Sequence, residues 1–171
     1  MKHTIAVLVN NKPGVLAKVA GLFARRGYNI DSLAVNATVD GNYPDPAGDK
    51  YSRMTLVVDD EGDPGIMDQI EKQLDKLVDV VHLSDHTQTQ VVRRELALIK
   101  IRATPEQRSE VFTVCQIFRA LIVDIGEGVI MVEVGGAPEK VDAMVEVLRP
   151  YGILELVRTG RVVLVRGQRM T

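Results

Sequence analysis

The chain has 171 residues, 46% of them hydrophobic and 26% charged, with a formal net charge of −2. That is enough for one domain or two small ones with a real core and an ordinary polar surface. The near-neutral charge and 4% aromatic content argue against nucleic-acid binding, whether by a basic stripe or by base stacking. The first residues carry no signal-peptide pattern, and no apolar run reaches the roughly 18 residues of a membrane span. A single cysteine, Cys115, excludes an internal disulfide. A cytoplasmic protein is therefore expected.

His3 to Val9 is apolar and rich in β-branched residues, and reads as a strand ended by Asn10 and Asn11. Pro13 suits a first helical turn. Val15, Leu16, Val19, Leu22 and Phe23 then recur at helical spacing, with Gly27 placed for a left-handed cap after Arg25 and Arg26. Tyr28 to Thr38 and Tyr51 to Val58 read as strands. Between them, Asp40 to Lys50 is a loop of unusual length for a hairpin, with two Pro, two Gly and three Asp. A second helix lined by Met67, Ile70, Leu74 and Leu77 leads to a strand from Val78 to Leu83.

Ser84 to Gln90 is polar and reads as a linker. Then the order repeats without repeating the letters. A strand spans Leu96 to Ile101, and a helix spans Pro105 to Arg119 with Val111, Val114, Cys115 and Phe118 inward. Two strands, Leu121 to Ile125 and Val129 to Val134, flank a Gly-Glu-Gly turn. A helix from Glu139 to Arg149 precedes strands at Leu154 to Val157 and Val162 to Val165. The expected class is α+β: two ferredoxin-like βαββαβ sandwiches over 1–84 and 91–171, joined by 85–90. Open sheet edges and faces favour oligomers.

Candidate chemistry is sparse. Cys115 falls on an apolar helix face. His82 and His86 lie in a strand running into a linker and lack further zinc ligands. Asp59 to Gly65 lacks the ligand spacing of a calcium loop. Gly126 to Gly136 contains a G-x-G but no strand-to-helix dinucleotide motif. No convergent set of titratable groups supports a small enzyme, and no helix-turn-helix supports a transcriptional regulator.

The stretch from Asn10 to Leu33 is different. A helix start just after Asn11 presents unpaired amides and a dipole that suit a small carboxylate. Gly14 lets a ligand approach the backbone, and Asn11 offers an amide beside it. Asn29 can add a second amide from across a pocket, with Val15, Leu16 and Ile30 as an apolar wall. The alternative is purely structural: Asn11 as an N-cap, Pro13-Gly14 as a turn, Asn29 as a bend residue.

"NNKPGVLAKVAGLFARRGYNIDSLAV" resembles the signature of an ACT domain. With "SRMTLVV", "IEKQLDKLVDVVHL", "VVRRELALIKI", "IFRALIVDI" and "ELVRTGRVVLVRG", nearly the entire chain resembles the regulatory small subunits of acetolactate synthase. The resemblance implies a non-catalytic subunit without a cofactor of its own. Its partner would be a large catalytic subunit carrying thiamine diphosphate, Mg and FAD. It also implies a homodimer through ACT domains and valine as the feedback effector in branched-chain amino-acid biosynthesis. Asn11 and Gly14 would meet the effector's polar end, and Asn29 would reach from the facing chain, with Val15, Leu16 and Ile30 nearby. The long Asp40–Lys50 loop departs from the family pattern.

Overall fold

The structure is a computed structural model that describes residues 1–38, 51–60, 62, 63 and 65–167. The Asp40–Lys50 loop lies outside these. The chain forms two compact units, one of Met1–Val92 with the segment from Arg161 onward, the other of Arg93–Gly160.

In the first unit the order is β1 (Lys2–Asn10), α1 (Val15–Arg26), β2 (Ile30–Thr38), β3 (Tyr51–Asp59), α2 (Gly65–Leu74) and β4 (Val80–Asp85). These strands form an antiparallel sheet ordered β2-β3-β1-β4. Side chains alternate between its faces. Ile5, Val7 and Val9 of β1 and Met54, Leu56 and Val58 of β3 meet Val15, Val19, Leu22 and Phe23 of α1 and Met67, Ile70 and Leu74 of α2. The opposite face is also buried: Ala6, Thr55 and Ala34 form one cross-strand row, and Thr4 and Val57 another. Beside that second row, the Arg161 amide donates to Ser32 Oγ at 3.1 Å.

The second unit repeats the order with β5 (Val91–Arg102), α3 (Arg108–Phe118), β6 (Leu121–Gly126), β7 (Val129–Gly136), α4 (Pro138–Leu148) and β8 (Ile153–Arg158). Its strand order, β6-β7-β5-β8, is that of the first sheet. Ile99, Ile101, Ile130, Val132 and Val134 pack on Val111 and Cys115 of α3 and Val141, Met144 and Leu148 of α4. Cys115 is buried, and burial pushes its thiol pKa up. Glu95, itself buried, receives Arg158 through two bonds of 2.7 Å, while Arg158 also reaches Asp142 at 2.7 Å. That fork joins β5, β8 and α4.

The two expected βαββαβ sandwiches are therefore present, with several shifted boundaries. Helix α1 starts at Val15 and not at Pro13 or Gly14, because Pro13 and Gly14 are spent on a turn. Helix α3 starts at Arg108, after a turn led by Pro105. Val78, read as strand, is fully outside β4, which runs on through Ser84 and Asp85. Leu16, read as part of the apolar stripe, is 44% exposed at its margin.

Candidate functional site

The connection from β1 to α1 is held by three backbone hydrogen bonds. The Asn10 amide donates to Asp79 O at 2.8 Å, and the Lys12 amide donates to Asn10 O at 2.9 Å. The Val15 amide then donates to Lys12 O at 3.3 Å. With Pro13 second and Gly14 third, at φ 85 and ψ −10, this is a type II turn. Only glycine adopts that conformation without strain. A Cβ built at Gly14 would meet nothing within 4 Å, so the space above the backbone is open.

Gly14 is also the N-cap of α1, with no side-chain cap bond. This removes Asn11 from the N-cap role. The first bond within the helix runs from the Lys18 amide to Gly14 O at 3.0 Å, leaving the Leu16 and Ala17 amides in the first turn without a helical acceptor. No acidic residue lies in that turn, whereas α2, α3 and α4 carry Asp68, Glu110 and Glu139 in theirs. Of the four described α-helices, α1 alone has no acidic residue in its first turn to offset the positive end of its dipole.

Below it, Lys18 Nζ lies 2.6 Å from Asp79 Oδ2. The Lys18 ammonium, chiefly, holds the Asp79 carboxyl below the usual carboxylate range. Asp79 thereby ties the end of β1 to the second turn of α1.

At the far end of α1, the Tyr28 amide reaches Phe23 O at 3.1 Å and the Gly27 amide reaches Ala24 O at 3.2 Å, with Gly27 left-handed. This is a Schellman closure, and Gly27 is the left-handed cap expected from the sequence. It delivers the chain to Asn29, exposed, and Ile30, half-buried. Asn29 Nδ2 donates to Asp31 Oδ1 at 2.9 Å, and Lys2 Nζ lies 2.7 Å from Asp31 Oδ2.

The expected site residues thus fall in two groups. Asn11 and Leu16 are exposed around Gly14; Val15 packs in the core beneath them. Asn29 and Ile30 are elsewhere. Asn10 pairs with Tyr51, which pairs with Thr38; Ile30 pairs with Val58, which pairs with His3. The seven-residue step from His3 to Asn10 puts the two groups about 24 Å apart, at opposite ends of one sheet. One chain does not bring them together.

A polar cluster that the sequence did not reveal ties β1 to residues after β4. His3 Nε2 lies 3.0 Å from Asp60 Oδ2 and Nδ1 lies 3.2 Å from Thr87 Oγ1; Thr87 Oγ1 donates to Asp85 Oδ1 at 2.5 Å. The Met1 amine and His3, in that order, hold the Asp60 carboxyl far below its usual range. His82, Ser84, Asp85, His86 and Thr89 line a cavity of about 290 Å³. His82 Nε2 lies 2.9 Å from Ser84 Oγ. Among the described residues no group of three His, Cys, Asp or Glu side chains is arranged to hold a metal, and no helix is long and apolar enough to cross a membrane.

Comparison with known proteins fits this architecture. A family model described as the AHAS small subunit-like ACT domain matches residues 5–82, and one described as the small subunit of acetolactate synthase matches 94–167. A probable acetolactate synthase small subunit of Archaeoglobus fulgidus is 50% identical over 169 residues, 99% of each chain. The acetolactate synthase small subunit of Mycolicibacterium smegmatis is 45% identical over 167 residues, 98% of this chain and 92% of that one. The crystal structure of the acetolactate synthase small subunit from Thermotoga maritima superposes with a TM-score of 0.81 at 39% identity, covering 99% of both chains. Two sheets of one topology, an ACT match on the first and a small-subunit match on the second place this chain in the family of acetolactate synthase regulatory small subunits.

Proposed function

We propose that this chain activates the catalytic large subunit of acetolactate synthase and makes it sensitive to valine, through an effector site that two copies build together. The carrying observation is the start of α1. It has a glycine cap, open space above Gly14 and no acid in its first turn, so its amides suit the carboxylate of a small effector. Asn11 stands beside it. Asn29 and Ile30, at the other end of the sheet, join such a site only from a second chain running the opposite way. β2, which follows Asn29, is a sheet edge, a natural surface for that pairing. A twofold dimer then contains two equivalent sites.

An effector changes activity only by binding two states of a complex unequally. A valine bridging two chains at α1 and Asn29 favours whichever dimer arrangement closes on it, and that arrangement holds the catalytic subunit less productively. Residues 1–84 sense the effector, and 91–171 support activation or pass the signal on. Thiamine diphosphate, Mg and FAD belong to the large subunit, and the complex works in the cytoplasm without nucleic acid or membrane. The test is reconstitution. The purified chain alone should form no acetolactate, should raise acetolactate formation by the large subunit, and should lower it again when valine is added. Failure to stimulate the large subunit would remove the activating role.

A further inference from the structure

An amide side chain has two different ends, a carbonyl that accepts and an NH2 that donates, and their assignment follows from the partners they meet. For Asn29 the partner decides it. Its amide faces Asp31 Oδ1 at 2.9 Å, and an ionised carboxylate only accepts, so the NH2 end must point there. Asp31 is itself held, because its second oxygen takes Lys2 Nζ at 2.7 Å from β1. The β2–β3 register slips between Ile30 and Ser32, which makes Asp31 the extra residue of a bulge, a device that re-aims a side chain. Lys2, Asp31 and Asn29 therefore form a chain of contacts that leaves the Asn29 carbonyl oxygen turned away from Asp31.

That orientation matters for an α-amino acid. Its carboxylate needs donors, which the start of α1 supplies. Its ammonium only donates and needs an acceptor. We propose that Asp31 is a positioning residue of the effector site: it locks the Asn29 amide with its carbonyl oxygen outward, where that oxygen receives the effector's ammonium. This rests on the effector-site reading above. The contact of Asp31 is with Asn29, and the contact of Asn29 is with the ligand.

The experiment is calorimetry of the full chain with L-valine for wild type, D31A, N29A and the double variant, with D31E as the conservative replacement. D31A and N29A should each weaken binding about tenfold, as expected for a lost hydrogen bond to a charged group. The double variant should match N29A within about twofold, because Asp31 acts only through Asn29. D31E, which keeps a carboxylate, should recover most of the affinity. Isovalerate, valine without its ammonium, should bind wild type more weakly than valine or not measurably. The proposal is overturned if D31A binds valine like wild type, if D31A costs as much in the N29A background as alone, or if isovalerate matches valine. A wild-type chain that binds none of valine, leucine and isoleucine overturns the effector-site reading beneath it, which is a different result from wild-type binding with an indifferent Asp31.

Discussion

The two units share topology down to their irregularities, and differ where a ligand would sit. Each slips register between its second and third strands, at Ile30/Ser32 and at Ile122/Asp124, and between its first and last, at Leu8/Val9 and at Lys100/Ile101. Each closes its first helix with the same pair of bonds, around Gly27 and around Arg119. Yet three residues after the first strand ends, Pro13 is followed by Gly14 and Pro105 by Glu106. The Thr104 hydroxyl and the backbone amide of Glu106 itself bond the Glu106 carboxylate and hold its pKa below the ordinary range. The second unit thus brings its own carboxylate to the start of its first helix. The first unit leaves that place open. The outer sheet faces differ too: Ala6, Thr55 and Ala34 are buried, while Leu98, Leu121 and Val157, which flank the same row of the second sheet, are 36%, 62% and 63% exposed.

The largest expected effect comes from erasing that difference. Gly14→Asp puts a carboxylate where the effector's should dock and forces a non-glycine residue to φ 85. Valine affinity measured by calorimetry should fall by roughly a hundredfold or more. Stimulation of the large subunit should persist; loss of both together would make Gly14 structural only.

Next is the Glu95–Arg158–Asp142 fork of the second unit. Glu95→Gln puts a neutral amide at a buried position opposite the partly exposed Arg158 and should cost about 2 kcal/mol in chemical denaturation. A change under about 0.5 kcal/mol would mean that solvent already screens the pair.

The helix closures give a smaller test with two signs. Arg119 is a non-glycine residue at φ 49, in the place that Gly27 fills at φ 73. Gly27→Ala should destabilise by about 1 kcal/mol, and Arg119→Gly should stabilise by about as much. Equal signs in thermal melts would contradict the equivalence of the two closures.

The pH prediction concerns Asp60, which has no counterpart among these contacts of the second unit. Its folded pKa lies well below the 3.8 of a free aspartate. The stability it contributes is therefore present above about pH 4 and is lost as pH falls through the folded value. Asp60→Asn should be less stable than wild type at neutral pH, and the gap should narrow in acid. A gap independent of pH would remove the charge from the explanation.

Hydrophobic periodicity made both βαββαβ units and most core residues legible, because alternation and helical spacing are local signals. Boundaries failed where a proline turn precedes a helix, as at Pro13 and Pro105, since proline serves a turn as readily as a first helical turn. Asn11, Gly14 and Asn29 could be named as candidates from the sequence, but their separation to opposite ends of one sheet could not, because strand register sets it; Val15 was included through its spacing although it is core. Asp79, Lys2 and the His3–Thr87 contact were not legible, because their partners are brought together only by strand pairing. Asp31 lies only two residues after Asn29, but the bulge that re-aims it is a product of strand pairing and was not legible.

The central claim is that the effector site needs Gly14 of one chain and Asn29 of another. Gly14→Asp and Asn29→Ala chains, each deficient in valine binding alone, can be mixed and allowed to exchange subunits. In a mixed dimer one site combines the intact Gly14 with the intact Asn29. Calorimetry should then recover about a quarter of the wild-type capacity at wild-type affinity, since about half of the dimers are mixed and each holds one of two sites intact. A mixture that has demonstrably exchanged and recovers no wild-type-affinity binding would contradict a site shared between chains.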